Sequence, residues 1–331
     1  MCTGISYSST DQQEFFGRTQ EYNLDYDYVV AQFPSEFHVQ LGISDWQTRY
    51  SVLGMGTRLK NELMPMVLDG VNGSGLAGST QYFAVDDLYQ PLKNVITAGK
   101  KPIYAEQFIF YLLSMCQNIT EVKAVLKKVA IPDQSIVQAT GLPQHFFIKD
   151  ATGASIVIEP DATVGFKVYD NSIGVMTNAP AFDWQVTNLR QYAGLTAALQ
   201  PDLPLRQMNL TAAGKGAGLL GLPGDFTSTS RFVKASLLLN LMQLPTATTA
   251  VETGFHLLSL SDIPKGTMLC ADGSVEYTQY TVIYNQTKRE LYLKLYENLA
   301  IQKVTYQDND AQVSDPRVYE LNKTASYQVL N

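Results

Sequence analysis

The chain opens with an alternation of apolar and polar residues over residues 5–9, a period of two that is typical of a half-buried strand. Runs rich in branched and aromatic residues predict further strands at residues 28–33, 50–53, 145–148, 155–158, 166–169 and 174–176. Turn residues lie between these runs at 150–153 and 170–171. Short turns join antiparallel strands, because parallel strands need a crossover of helical length. This part of the chain therefore predicts hairpins in antiparallel sheets.

Apolar residues at helical spacing predict helices at residues 105–116, 120–129, 182–192, 230–243 and 246–258, with Thr120 as a candidate cap of the second. The chain then returns to strands at residues 280–284, 290–294 and 300–305, with a turn at 285–289. Two stacked sheets with a helix pair on each outer side would bury all of these apolar faces together. The element order therefore predicts an α+β fold, a four-layer αββα sandwich of two antiparallel sheets flanked by helix pairs.

Composition favours one large domain with a substantial core. Of the 331 residues, 45% are hydrophobic and 17% are charged, which is more apolar and less charged than an average soluble domain. No linker rich in Pro, Gly or Ser divides the chain, so we expect a single domain over residues 1–331. Residues 191–225 form an extended loop with three prolines, and five glycines lie between Gly214 and Gly224. A loop of this length is uncommon without a function.

Charge and cysteine content indicate which binding partners and which cellular compartment to expect. The chain has 24 Lys and Arg against 31 Asp and Glu, a formal charge of −7, so we expect no nucleic-acid partner. The first residues lack the pattern of a secretory signal, and the most apolar runs, 108–116 and 236–242, are too short to span a membrane. Three cysteines without a C-x-x-C pair fit a reducing compartment. We therefore expect a cytoplasmic protein without membrane contact.

The sequence predicts neither a cofactor site nor a metal site. Residues 216–221 match G-x-G-x-x-G, but no strand precedes them and Pro223 stops any helix, so we interpret them as a glycine-rich loop. The histidines, His38, His145 and His256, are far apart and lack the H-E-x-x-H spacing of a zinc site.

Cys2 would combine two reactive groups if Met1 were removed, which is sterically easy before a small residue. A chain-terminal amine has a pKa of about 7.7 to 8 and a cysteine thiol one of about 8.5. One residue would then hold both a nucleophile and a base that titrate near neutral pH. Such a residue attacks a carbonyl, passes a proton to the leaving nitrogen, and is freed when water hydrolyses the thioester. The alternative is that a cysteine codon follows the start codon by chance.

The residues around Cys2 belong to a longer pattern, whose blocks lie at residues 1–10, 16–21, 69–78, 168–178, 188–192 and 221–234. In this order, and over most of the chain, the blocks resemble the choloylglycine hydrolase family of N-terminal nucleophile hydrolases, which includes bile salt hydrolases and penicillin V acylases. The family has the αββα sandwich that the element order predicts.

The resemblance implies that Cys2 is the nucleophile and that Arg18 lies beside its thiol, where a fixed positive charge favours the thiolate. Glu21 stands where the family usually has Asp, whose carboxylate orients the new α-amine. Glu21 keeps the charge but is one methylene longer. An alternative for Arg18 is an ordinary surface charge.

The resemblance also implies an oxyanion hole formed by the side chain of Asn178 and the backbone N–H of Tyr82. Arg231 would complete the charge network around Cys2. The alternatives are that Asn178 is a turn residue, that Tyr82 is a packing residue and that Arg231 is a surface charge.

The activity implied is hydrolysis of a small-molecule, linear, non-peptide amide through a thioester, without a cofactor. Tyr82 falls where bile salt hydrolases usually have Asn and penicillin V acylases usually have Tyr, so the sequence favours a penicillin V acylase. The family's counterpart of residues 191–225 reaches a neighbouring subunit, which implies a homotetramer.

Other functions stay open. A bile salt hydrolase acting on glycine- or taurine-conjugated bile acids and an N-acyl homoserine lactone acylase are alternative substrate assignments. A binding homologue with weakened catalysis is favoured by Glu21. A papain-like peptidase is disfavoured, because Cys116 and Cys270 lack its flanking sequence.

Overall fold

The computed structural model describes residues 1–59, 62–307 and 314–330. Up to residue 82 the strands are β1 (Cys2–Ser8), β2 (Glu14–Tyr22), β3 (Asp27–Phe33), β4 (His38–Val39), β5 (Trp46–Gln47), β6 (Val52–Leu59), β7 (Glu62–Asn72) and β8 (Ala77–Tyr82). The later strands are β9 (Lys101–Pro102), β10 (Val129–Ala130), β11 (Gln144–Lys149), β12 (Ser155–Asp161), β13 (Gly165–Asp170), β14 (Val175–Met176), β15 (Leu203–Pro204), β16 (Asn209–Leu210), β17 (Tyr277–Asn285), β18 (Glu290–Leu295), β19 (Gln302–Thr305) and β20 (Arg317–Tyr319). The α-helices are α1 (Leu92–Thr97), α2 (Ala105–Met115), α3 (Ile119–Leu126), α4 (Phe182–Leu189), α5 (Ser228–Leu241) and α6 (Ala250–Ser259).

The first large sheet has six strands in the order β14-β1-β2-β17-β18-β19, and all neighbouring strands are antiparallel. β2 lies at the centre, and its residues are buried almost throughout. A strand covered on both faces carries no alternation of apolar and polar residues, so the hydrophobic pattern does not predict β2. This strand carries two of the candidate site residues, Arg18 and Glu21.

The second large sheet has eight antiparallel strands in the order β13-β12-β11-β8-β7-β6-β3-β20. β6 and β7 approach each other closely at Gly54, where a Cβ atom would overlap the carbonyl oxygen of Asp69. Glycine is therefore required at this position for the two strands to pair. This pairing holds Asp69 in place on β7, in the part of the second sheet that faces the first sheet.

The hydrophobic core lies between the layers of helices and sheets. One apolar cluster joins the two sheets with α5 and α6, and it includes Ile5, Phe147, Phe232 and Phe255. A second cluster joins the other face of the eight-stranded sheet with α2 and α3. The predicted α+β sandwich with two antiparallel sheets between helix pairs is therefore confirmed.

Two local predictions are wrong. Residues 150–153 do join the antiparallel strands β11 and β12, but the turn after Asp170 is no hairpin, because β14 leaves the sheet of β13 and pairs with β1. Helix α3 is capped by Asn118, whose Oδ1 accepts the main-chain N–H of Glu121 at 2.9 Å, and not by Thr120. Thr120 already lies inside the helix, where it cannot cap it.

Residues 191–225 contain the β15–β16 hairpin and a 3₁₀ turn at Ala217–Leu219, and most of their side chains are exposed. None of the helices in the described ranges has the length and apolar character that a membrane crossing needs. Within the same ranges, no three His, Cys, Asp or Glu side chains gather as metal ligands would. The predicted domain of residues 1–331 also includes residues 60, 61, 308–313 and 331, which lie outside the described residues.

Candidate active site

Cys2 and Arg18 meet because β1 and β2 pair with Cys2 opposite Gln20 and Gly4 opposite Arg18. The Cys2 side chain is buried, and Arg18 Nη2 donates a hydrogen bond to Cys2 Sγ at 2.7 Å. Gln20 Oε1 accepts a second hydrogen bond from the same Arg18 nitrogen. Arg18 is fully buried and is therefore no surface charge. A cation in contact with a thiol sulfur stabilises the thiolate over the thiol.

Arg18 is held between the two sheets by a buried network. Its Nη1 donates to the carbonyl of Thr80 at 2.9 Å and lies 3.5 Å from Asp69 Oδ2. Asp69 in turn accepts hydrogen bonds from the hydroxyls of Tyr280 and Tyr284, both at 2.6 Å. Burial acts to lower the pKa of Arg18, but the negative groups around it raise that pKa above its usual value, so the guanidinium stays charged.

Asn178 follows β14 directly and contacts three parts of the site. Its Oδ1 accepts hydrogen bonds from the main-chain N–H of Cys2 at 2.8 Å and from Arg231 Nη2 at 2.7 Å. Its Nδ2 donates to the carbonyl oxygen of Tyr82 at 2.7 Å. These bonds fix the amide plane and assign its oxygen and nitrogen. Asn178 is therefore a buried connecting residue and not only a turn residue.

Arg231 lies in the first turns of α5 and reaches into the core, where it is fully buried. Its Nη1 donates to the carbonyl of Cys2 and to Thr3 Oγ1, the latter at 2.7 Å, and its Nε donates to Phe226 O at 2.9 Å. Burial lowers the pKa of Arg231, while the nearby Glu21 opposes that shift. The structure thus excludes the surface-charge alternative for Arg231 as well.

Glu21 is buried on β2 beside the first residue of the chain. Its main-chain N–H donates to Met1 O at 3.0 Å, and its Oε1 accepts Thr278 Oγ1 at 2.8 Å. Its Oε2 is buried and has no hydrogen-bond partner among the described residues. Burial raises the pKa of Glu21, although the chain terminus and Arg231 counteract this. The Met1 amine forms an ion pair with Glu276, and the nitrogen of Cys2 is an ordinary peptide amide in this form of the chain.

The Cys2 cavity is the pocket of about 120 Å³ into which Cys2 opens. Its walls are largely apolar and include Tyr22, Tyr26 and Leu142. Tyr82, at the end of β8, lines this cavity with a side chain that is 49% exposed. A half-exposed residue is not packed into the core, so a ligand in the cavity could contact Tyr82.

The other two thiols lie outside the Cys2 cavity. Cys116 is buried at the end of α2, and burial raises the pKa of its thiol to about 12. Cys270 is half-buried near Glu276. Neither lines the cavity, which leaves Cys2 as the cysteine of this site.

The structure therefore brings the six candidates together around Cys2, namely Cys2, Arg18, Glu21, Tyr82, Asn178 and Arg231, and three of them, Cys2, Glu21 and Tyr82, line its cavity. Sequence reasoning missed Gln20, which shares the Arg18 nitrogen with Cys2, and Asp69, which balances the Arg18 charge. Asp69 begins one of the blocks of resemblance, but a lone acid in an apolar strand carries no chemical pattern. Its only signal is that a buried charge needs a partner.

Comparison with known proteins shows the family of the chain. The model of the linear amide C–N hydrolases, choloylglycine hydrolase family, matches residues 2–319. A bile salt hydrolase/transferase of Clostridium perfringens is 32% identical over 338 residues, which covers 100% of both chains. A conjugated bile acid hydrolase of Lactobacillus acidophilus is 29% identical and covers 94% of this chain and 96% of its own.

Solved structures show the same relationship. A mutant conjugated bile acid hydrolase from Clostridium perfringens matches with a TM-score of 0.89 and 32% identity over 100% of both chains. A penicillin V acylase from Agrobacterium tumefaciens matches with a TM-score of 0.75 and 18% identity over 97% of this chain and 92% of its own, which shows a shared fold. With a family match over nearly its whole length, the chain belongs to the choloylglycine hydrolase family and is a hydrolase of linear amide C–N bonds.

Proposed function

We propose that this enzyme hydrolyses conjugated bile acids and that Cys2 is its nucleophile. The observation that carries the assignment of the nucleophile is the contact of Arg18 Nη2 with Cys2 Sγ at the wall of an apolar cavity. A buried cation prepares a thiolate, and the apolar walls suit an apolar acyl group.

The reaction follows from the groups around Cys2. The thiolate attacks the amide carbonyl carbon, and the negative charge that develops on the carbonyl oxygen is stabilised by an Asn178 amide hydrogen and the Tyr82 N–H. An amide NH₂ carries two hydrogens, so Asn178 can bind Tyr82 O and still offer one to the substrate. The C–N bond breaks as the Cys2 α-ammonium gives a proton to the leaving nitrogen. Water, deprotonated by the same amine, then attacks the thioester, and the C–S bond breaks to release the acid and the thiolate.

This mechanism requires removal of Met1, because a peptide nitrogen cannot act as the base. Glu21 supports the proposal, since it has a buried oxygen without a partner next to the chain start. A free Cys2 amine would supply a donor and a positive charge there. Intact-mass measurement tests the step: active preparations should lack Met1, and hydrolysis by a preparation in which every molecule retains Met1 would exclude the mechanism.

The relatives support bile salt conjugates as the substrate. Proteins named for this activity are 27–32% identical over most of their length, whereas the penicillin V acylase is 18% identical. Penicillin V is the second candidate, because the exposed ring of Tyr82 can pack on a phenoxyacetyl ring. Such a contact is worth about 0.5–1.5 kcal/mol, or about three- to tenfold in kcat/KM.

A direct assay decides between these substrates. Hydrolysis of glycocholate, taurocholate and penicillin V should be compared as kcat/KM under one set of conditions. We expect at least a tenfold advantage for one of the bile salts. A tenfold advantage for penicillin V would reverse the assignment, and binding without turnover of any of the three would favour a binding homologue with weakened catalysis.

We also propose that residues 191–225 take part in assembling a homotetramer. Large apolar side chains in this loop are exposed in the isolated chain, among them Leu199, Met208 and Leu220. Exposed apolar groups of this kind mark association surfaces. Light scattering of the parent and of Leu220→Ser with Met208→Ser should give a tetramer and a smaller species, and equal masses would contradict the proposal.

A further inference from the structure

Glu106 is a buried carboxylate in the wall of the Cys2 cavity. It is the second residue of α2, and its side chain is 3% exposed. Its Oε1 accepts the hydroxyl of Ser135 at 2.7 Å and the main-chain N–H of Ile136 at 2.6 Å. Its Oε2 is buried and has no hydrogen-bond partner among the described residues.

Gln144 adds a second acceptor to the same cavity. It opposes Tyr82 in the β8–β11 pair, and its Oε1 is likewise buried without a partner in the described part of the chain. Buried acceptors are normally satisfied, because an unmade hydrogen bond costs the full desolvation of the group. Among the described residues, four that line the cavity carry an unpaired buried side-chain oxygen, namely Glu21, Thr80, Glu106 and Gln144. Glu21 lies beside the chain start, where the Cys2 amine would serve it, and the Thr80 hydroxyl is itself a donor, so Glu106 and Gln144 are the two acceptors that call for a donor on the ligand.

The rest of the cavity limits what that donor can be. Met66, Leu68 and Leu142 form apolar walls, and no Lys, Arg or His of the described residues lines it. An anionic group would be repelled by Glu106. A hydroxyl supplies a donor without bringing a further charge into an apolar pocket.

We infer that Glu106 is a specificity-determining residue that selects acyl groups with an apolar body and a hydroxyl. This inference rests on the proposed function, because the acyl group must occupy the Cys2 cavity for its hydroxyl to reach Glu106. The two oxygens of Glu106 then have separate tasks: Oε1 holds residues 135–136, which precede the cavity-lining Val137, and Oε2 accepts a hydrogen bond from the hydroxyl of the substrate.

A pair of substrates that differ only in donor and acceptor tests the inference. Glycocholate carries ring hydroxyls, and its fully oxidised counterpart, glycodehydrocholate, carries ketones at the same carbons and has the same leaving group. A ketone accepts hydrogen bonds but donates none. For the parent enzyme we expect kcat/KM to favour the hydroxyl compound by about 10- to 100-fold, the range of a hydrogen bond to a charged group.

Glu106→Gln preserves the shape and can keep the bonds to residues 135–136 through its amide oxygen, while it replaces Oε2 by a donor. We expect the hydroxyl-to-ketone ratio to fall to about one or to invert, because the new N–H can donate to a ketone. Glu252→Gln, at an exposed position on α6, is the matched control and should leave the ratio unchanged.

The outcomes separate the two levels of the proposal. A ratio near one in the parent overturns the role of Glu106 whether or not the variant folds. Equal losses on both substrates in Glu106→Gln also overturn it, since they indicate a purely structural role at residues 135–136. Turnover of neither steroid by the parent overturns the proposed function and the inference with it.

Discussion

Removing the charge of Arg18 should separate its role in folding from its role at the thiol. Arg18→Met keeps an unbranched side chain of similar reach but removes the charge and every donor. Asp69 then retains the hydroxyls of Tyr280 and Tyr284 but loses the cation 3.5 Å from its Oδ2. Breaking a buried pair by removing one partner lowers the free energy of unfolding by about 3–5 kcal/mol. We expect a loss in that range at neutral pH.

The loss should depend on pH and on Asp69. Burial raises the pKa of Asp69, so without Arg18 the carboxylate destabilises the fold above its ordinary pKa, and protonation relieves this as the pH falls. Adding Asp69→Asn to Arg18→Met removes the unpaired charge, and the double variant should recover about 1–3 kcal/mol. Urea unfolding followed by circular dichroism measures both effects, provided that the unfolding free energy has the same dependence on urea concentration in the parent and the variants.

Turnover should follow a different pattern. Arg18→Met removes the charged hydrogen-bond donor to Cys2 Sγ. Loss of a hydrogen bond from a charged group corresponds to about a 10- to 100-fold loss in kcat/KM. Asp69→Asn cannot restore this donor. The reasoning is refuted if the double variant regains the parent's turnover, because the charge would then serve stability alone. It is also refuted if the two substitutions are additive in unfolding free energy.

Further substitutions test Cys2 and Glu21, with Cys116→Ser as a control. Cys2→Ser should lose most hydrolysis, because a hydroxyl is far less ionised by the same base, whereas Cys116→Ser should retain it; a fully active Cys2→Ser enzyme would place the nucleophile elsewhere. In preparations that retain Met1, Glu21→Gln should resist urea better than the matched Met1-retaining parent at pH 7, because burial raises the pKa of Glu21 and its ionised form is unfavourable. That advantage should vanish at a pH below the ordinary pKa of glutamate, and a constant difference at all pH values would argue against this cause. Glu21→Asp should be tolerated in a turnover assay, and complete inactivity would show that the site is built around Glu.

Much of the fold could be predicted because its signals are local. The alternation in β1 and the turn at residues 150–153 each lie within a few positions, and the strand and the hairpin both appear in the structure, although β1 is buried on both faces and is not half-buried as predicted. Periodicity does not predict the central strands β2 and β8, because they are buried on both faces and carry no alternation of apolar and polar residues. The switch of β14 from one sheet to the other depends on packing between sheets, which no short window contains.

The candidate site likewise contains residues that the sequence could predict and residues that it could not. Cys2 could be singled out from the chemistry of a chain start, and the other candidates came from a resemblance spread over most of the chain. The ion pair between Arg18 and Asp69 and the hydroxyls of Tyr280 and Tyr284 join residues far apart in sequence. Nothing local marks them, because each is a common residue type whose partner is brought near only by the stacked sheets.

The strand order of the first sheet has a consequence for the newly made chain. β2 is among the first strands to be synthesised, yet its neighbour β17 begins only at Tyr277, about 250 residues later. At about 5–20 residues per second, translation leaves this edge unpaired for on the order of 10–50 s. During that time Phe15 and Phe16 lack their final cover, and the Cys2 thiol is open to oxidants. Chaperone supply and thiol protection during synthesis should therefore influence the yield of active enzyme more than conditions after release from the ribosome.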